Sequence, residues 1–320
     1  MIIVKGLRKL YYLANDFYLL IFHYRDLKKI KILKNKHKGE KVFFILTGES
    51  INHIDISRLK NHNTFGVSFS YLYRDVEQLP LKFYANLEPL RGVGKVKGNW
   101  PEQLIPSVGK DKKKIYFNKI KNKVIKNGVY TFLNADNIRF LKKNEIMGQR
   151  KSNLYFIRSK WDYEKGKSTH INLSERISTS GGVFFQSILI MIYMGFKEIY
   201  LCGAGYTYDP IWEYHFYDNM VQPINIGKER AIRALKKGVE DRNNQHNTKL
   251  EYYGIFEKND YFRGVIISRQ KRKSNHYRKY RNLKVIAEKR GVKIINILPK
   301  GFESPIFEHT SWEAISGSFS

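Results

Sequence analysis

The chain predicts an α/β fold: a mostly parallel sheet with helices on both faces. Three observations carry this. Continuous apolar runs such as "KVFFILTG" (41–48) read as strands buried on both sides, the mark of a parallel sheet. Segments of helical character separate the later runs, so strands and helices alternate along the chain. At 320 residues with 42% apolar content, the chain is long enough to bury the core such a sheet needs.

The first forty residues stand apart from this alternation. Leu10, Leu13, Ala14, Phe17, Leu20, Ile21, Tyr24 and Leu27 follow the i, i+3, i+4, i+7 spacing of one helix face. Ten Lys/Arg against three Asp/Glu accompany them, mostly after Tyr24. The apolar stretch is too short to span a bilayer, and "RDLKKIKILKNKHKGEK" is not a signal cleavage site. Two readings stay open for residues 1–40. One is a terminal helix packed on the core or on another subunit of a homo-oligomer. The other is a basic amphipathic helix in the interface of an anionic membrane, with Lys28, Lys29, Lys31, Lys34, Lys36 and Lys38 drawn to lipid head groups.

From Lys41 to the C-terminus a single domain is expected. After 41–48 come "TFGVSFS" (64–70) and "LKFYANL" (81–87) as strands. Residues 91–127 are basic and interrupted by glycine, which predicts loop and exposed surface. "VYTFLNA" (129–135) and "NLYFIRS" (153–159) are further strands. A helix over Val183–Met194, stopped by Gly195, leads to "EIYLCG" (198–203). The chain then turns irregular and aromatic. It ends with "VIISR" (265–269), a basic helix around 277–290 and "VKIINIL" (292–298). There is no internal repeat and no heptad pattern.

Charge and cysteine content narrow the setting. The 58 Lys+Arg against 29 Asp+Glu leave a net charge of +29, a field that attracts nucleic acid, anionic membrane or anionic sugar nucleotides. The single cysteine, Cys202, allows no internal disulfide, which suits a reducing compartment.

In sheets of this kind ligands bind beyond the carboxyl ends of the strands. Two stretches qualify. "LTGESINHIDISRL" (46–59) places Gly48, Glu49 and Ser50 directly after the first strand. "STSGG" (178–182) opens the helix at 183. Free N–H groups at that helix start, with small residues ahead of them, make a phosphate seat. Ser/Thr is equally the ordinary N-cap of a buried helix, so both readings stand on the residues alone. Neither stretch carries G-x-G-x-x-G or a Walker lysine, and no paired histidine or D-x-D spacing suggests a metal.

Taken in order, "VFFILTGESINHIDISRL", "FGVSFSYLY", "KFYANLEPL" and "STSGGVFFQSILIMIYMGFKEIYLCGAGYTY" resemble one family over roughly residues 42–300. It is the bacterial CMP-sialate-dependent sialyltransferases of glycosyltransferase family 42, with the related motility-associated-factor flagellin glycosyltransferases. The resemblance implies a Rossmann-like, sialyltransferase-like GT-A variant with a small lid over about 206–275. It implies inverting transfer of an acidic sugar (a sialic acid-like nonulosonate or Kdo) from a CMP donor to a glycan or glycolipid acceptor, with no metal and no further cofactor.

Position by position, the family's glycine-rich loop falls on Gly48, Glu49 and Ser50, where T-G-E-S stands for G-N-G-P-S. The asparagines after the second and third strands fall on Ser68 and Asn86, and Thr-Ser-Gly on Thr179, Ser180 and Gly181. The tyrosines that hold the donor phosphate correspond to Tyr208 (or Tyr206) and Tyr214, and Gly205 replaces an aspartate. A general base is required for the acceptor hydroxyl, and the resemblance puts it at His276, ahead of the last helix, with His215 and His246 as alternatives. Surface-glycan acceptors of this type imply a cytoplasmic enzyme peripheral on the inner membrane. Two other classes compete: a pyrophosphokinase-like or inactive relative of the same fold, and a basic nucleic-acid-binding protein. The second is disfavoured because the basic residues run from end to end and no nucleic-acid module is present.

Overall fold

A computed structural model describes residues 13–48, 51, 54–68, 70, 81–87, 112–147, 153–160, 171–178, 182–204, 251–258, 261–267, 278–298 and 306–317. It begins with helix α1 (13–22), a break at His23, helix α2 (Tyr24–Lys28) and a 3₁₀ helix (Lys29–Leu33). Then follow β1 (Lys41–Ile45), β2 (Thr64–Val67), β3 (Phe83–Asn86), α3 (Lys112–Lys123), β4 (Tyr130–Asn134), α4 (Ile138–Lys143), β5 (Leu154–Lys160) and β6 (Arg176–Ser178). The chain continues through α5 (Gly182–Met194), β7 (Glu198–Cys202), β8 (Glu251–Lys258), β9 (Tyr261–Ile267), α6 (Arg278–Glu288), β10 (Lys293–Ile297), β11 (Glu308–Thr310) and α7 (Trp312–Ser316).

Nine of these strands form one sheet in the order β11-β10-β7-β1-β2-β3-β4-β5-β6. Every pairing in it is parallel. The fold is therefore α/β and Rossmann-like. β8 and β9 make a separate antiparallel hairpin.

Alternation along each strand divides the interior into two cores. Phe43, Ile45, Tyr84, Leu133 and Phe156 face one layer, built from α1, α3, α4 and α7 through Leu19, Phe117, Leu141 and Trp312. Val42, Phe44, Phe65, Phe132 and Leu201 face the other, built from the 3₁₀ helix, α5 and α6 through Leu33, Ile190 and Leu283. A sheet covered on both faces needs apolar residues at every strand position, which is why β1, β2 and β3 read as unbroken runs.

α5 is buried from Phe185 to Met194, with Gln186 and Ser187 its polar residues, and closes against the chain at Gly195, whose φ of +95° ends the helix. A Cβ there would sit 3.0 Å from Lys38 Cα, so the glycine also admits the backbone at 35–39. That backbone donates from Asn35, His37 and Gly39 to the carbonyls of Tyr193, Met194 and Gly195.

Two expectations are corrected. Residues 91–127 are not all loop and surface: α3 occupies Lys112–Lys123 and buries Tyr116, Phe117 and Ile120. Lysines outnumber these three positions, so composition concealed a one-sided helix. Within the region read as irregular, 251–258 and 261–267 are strands, with the second beginning four residues before the expected run at 265.

Candidate functional site

β1 to β6 advance along the sheet in one direction, and α5 then carries the chain back to lay β7 on the other side of β1. The order thus reverses between β1 and β7, where a parallel sheet opens a crevice at its carboxyl edge.

The two strands stay zipped beyond their ends at this point. Leu46 N–H donates to Cys202 O at 2.8 Å, and Gly48 N–H donates to Gly203 O at 2.9 Å. Gly48 O then accepts from Ile51 N–H at 3.2 Å, turning the loop. Gly203 has φ +84°, and a Cβ on it would lie 3.1 Å from both Ile51 Cβ and Leu46 O. Only glycine allows the β1 loop so close to the β7 end.

Beside it, Ser68 follows β2 with φ +48°, a left-handed backbone that asparagine adopts more readily than serine. It is held there by its N–H donating to Ala85 O at 3.1 Å and by Tyr84 Oη donating to its carbonyl. Asn86 ends β3, 2% exposed. Its Nδ2 donates to Tyr116 Oη of α3, while its Oδ1 is buried with no hydrogen-bond partner among the described residues.

The opposite face carries a second polar set at the same edge. Asn134, the last residue of β4, donates to Leu87 O at 2.9 Å and to Ser159 Oγ at 3.3 Å. Gln186 of α5 donates to the same Ser159 Oγ at 3.0 Å. These bonds fix the beginning of α5 at the carboxyl edge. Gly182 opens the helix with φ +68°, and a Cβ there would meet nothing within 4 Å, so its backbone needs glycine while the space beside it is open.

The start of α6 comes to the same place. Phe184 in the first turn of α5 stacks on Phe44 of β1 with centroids 5.6 Å apart. It also meets Tyr280 in the first turn of α6 edge-on at 5.3 Å. One strand further, Asn296 of β10 is fully buried, and neither Nδ2 nor Oδ1 has a hydrogen-bond partner among the described residues. Burial pushes the Cys202 thiol well above its usual range, which makes it a core residue and not a nucleophile.

Of the expected site residues, Gly48, Ser68 and Asn86 lie along this edge, at the ends of three adjacent strands. Glu49, Ser50, Thr179, Ser180, Gly181, Tyr208, Tyr214 and His276 lie outside the described residues, as do Tyr206, His215 and His246. Tyr116, Asn134, Ser159, Gln186 and Asn296 were not expected. A signal for two of them existed: "FLN" and "IIN" set Asn134 and Asn296 at or near the end of an apolar strand.

No family model, no curated protein and no solved structure matches this chain in comparison.

Proposed function

We propose that the chain is an inverting glycosyltransferase that uses a CMP-activated acidic sugar. The observation that supports this most is convergence. The ends of β1, β2 and β3, with Gly48, Ser68 and Asn86, share one edge with the starts of α5 and α6, where Phe184 and Tyr280 touch. In the chain, the α5 start follows Thr179, Ser180 and Gly181 directly, and the α6 start follows His276 by two residues.

In this reading the helix start of α5 and the residues after Gly48, whose own amide is taken by Gly203 O, bind the nucleotide with backbone N–H groups, which suit a phosphate. Asn86 Oδ1, buried and without a partner among the described residues, is an acceptor for a ribose hydroxyl or a cytosine amine. His276 takes the proton of the acceptor hydroxyl as its oxygen bonds to the anomeric carbon of the sugar. The bond from that carbon to the phosphate oxygen breaks, CMP leaves with the electron pair, and the configuration inverts. Tyr208 and Tyr214 donate hydrogen bonds to the leaving phosphate without adding charge. The high positive charge of the chain concentrates so anionic a donor.

The test is CMP release from a panel of CMP-activated acidic sugars, with water as the default acceptor. One member of the panel should be turned over, and His276→Ala should lose about 10²–10⁴-fold in rate while retaining CMP binding. A wild-type protein inert toward every member overturns the reading.

A further inference from the structure

The apolar stripe of the N-terminal helix faces outward. Among the described residues, seven of the eight exposed large apolar side chains lie between Leu13 and Ile32, the eighth being Val285. Leu13, Phe17, Leu20, Ile21 and Tyr24 follow one helix face, and Phe17 is 69% exposed.

The other side of α1–α2 holds the segment to the body. Asn15 donates to Asp136 at 2.9 Å, Asp16 pairs with Arg176, and Leu19, His23 and Leu27 are buried. The helix is thus anchored by one face while its most apolar face is left in water. Surface helices ordinarily show the reverse.

Charge beside the stripe selects the occupant. Lys28, Lys31 and Lys34 recur at the three-residue period of the 3₁₀ helix, which lines such positions up on one side. They share a groove of about 410 Å³ with Asn172, Glu175 and Tyr193. Asn172 Nδ2 donates to Glu175 at 2.6 Å, so the one carboxylate in the groove is already engaged. Lys28 Nζ lies 5.3 Å from the Tyr24 ring centroid, joining the lysine row to the apolar stripe. The acids of the segment have partners as well: Asp16 with Arg176, Asp26 with Lys142, and Glu40 with His37 and Asn63.

We propose that this face docks on an anionic lipid bilayer. Phe17, Leu20 and Ile21 enter the head-group boundary, and Lys28, Lys31 and Lys34 hold lipid phosphates in the adjoining groove. No helix among the described residues is long and apolar enough to cross a membrane. The proposal does not depend on the nucleotide reading: CMP binding without vesicle binding sinks the one and spares the other.

Co-sedimentation of the full chain with vesicles tests it, comparing phosphatidylcholine alone with phosphatidylcholine mixed with phosphatidylglycerol. Binding should require the anionic lipid and weaken as salt rises toward about 1 M, where screening shortens to ~3 Å. Lys28→Gln, Lys31→Gln and Lys34→Gln together should weaken binding on the order of a hundredfold. Phe17→Ser with Ile21→Ser should weaken it by about tenfold or more. Both variants change exposed or half-buried side chains and are checked for unaltered melting, and either one that folds decides. Failure of the wild type to sediment with anionic vesicles at low salt overturns the proposal. So do folded variants that bind undiminished, or a wild-type dimer that Phe17→Ser with Ile21→Ser splits while vesicle binding is absent.

Discussion

Gly48 and Gly203 hold the centre of the carboxyl edge together: the amide of one donates to the carbonyl of the other at 2.9 Å, one step past the paired ends of β1 and β7. The bond forms because Gly203 has no side chain to push the β1 loop away. Gly203→Ala places a Cβ 3.1 Å from Ile51 Cβ and Leu46 O and 3.2 Å from Gly48 O, at a φ of +84°. We expect a loss of about 2–4 kcal/mol in urea denaturation, combining the left-handed penalty with overpacking. Gly39→Ala separates the two, since its φ is +86° but its Cβ would meet nothing within 4 Å. It should lose only about 1–2 kcal/mol. Equal losses at the two positions would contradict the close approach.

Asn296 gives a prediction of opposite sign. Its fully buried amide has no partner among the described residues, and such a group left unpaired costs about 1–3 kcal/mol. Asn296→Val suits a central strand and removes the amide, so it should raise stability by about 1 kcal/mol or more. Lower stability in the variant would show that the amide is satisfied in solution.

His23, at the break between α1 and α2, makes the fold sensitive to acid. Burial first, and the ammonium of Lys142 second, hold its pKa below the ordinary value of 6.5. Lys142 Nζ lies 3.1 Å from His23 Nδ1 and can donate to it only when that nitrogen carries no proton, while Asp26 Oδ2, 3.3 Å from the same nitrogen, pulls the pKa the other way with smaller effect. The unfolded chain therefore binds the proton more readily than the folded one. Stability from this group is complete above about pH 6.5 and falls as pH drops through that value toward the folded pKa, by at most about 1.4 kcal/mol per pH unit. His62 is lowered in the same direction, by burial and then by Lys41 and Lys82. The informative quantity is therefore the difference between wild type and His23→Asn. The variant should show the flatter denaturation midpoint between pH 7.5 and 5.5, and parallel curves would refute the assignment.

Much of the sheet was legible because its strands are covered on both faces. Between their first and last residues β1, β3 and β7 have no polar position, and the one in β4, Thr131, is itself fully buried. α3 was not legible: in "KKKIYFNKIKNK" the buried Tyr116, Phe117 and Ile120 are a narrow stripe among lysines. β6 and β11, at three residues each, are too short to form a pattern. At the site, Asn86 was named through the resemblance, but its partner Tyr116 lies on a helix thirty residues on, which no local pattern records. Likewise the N-terminal periodicity showed that one helix face is apolar, while only tertiary structure shows that this face points outward.

The central claim is that the edge built on Gly48, Asn86 and the α5 start receives a cytidine nucleotide. The measurement closest to it is thermal melting of the wild type and of Gly181→Val in the presence of CMP, CDP, ATP or GTP. A ligand that binds only the folded state raises its stability by about 2.7 kcal/mol at a hundred times its Kd. CMP and CDP should raise the melting temperature of the wild type, ATP and GTP should not, and Gly181→Val should fold but no longer respond. A wild-type melting temperature unmoved by CMP, or moved equally by all four nucleotides, contradicts the claim.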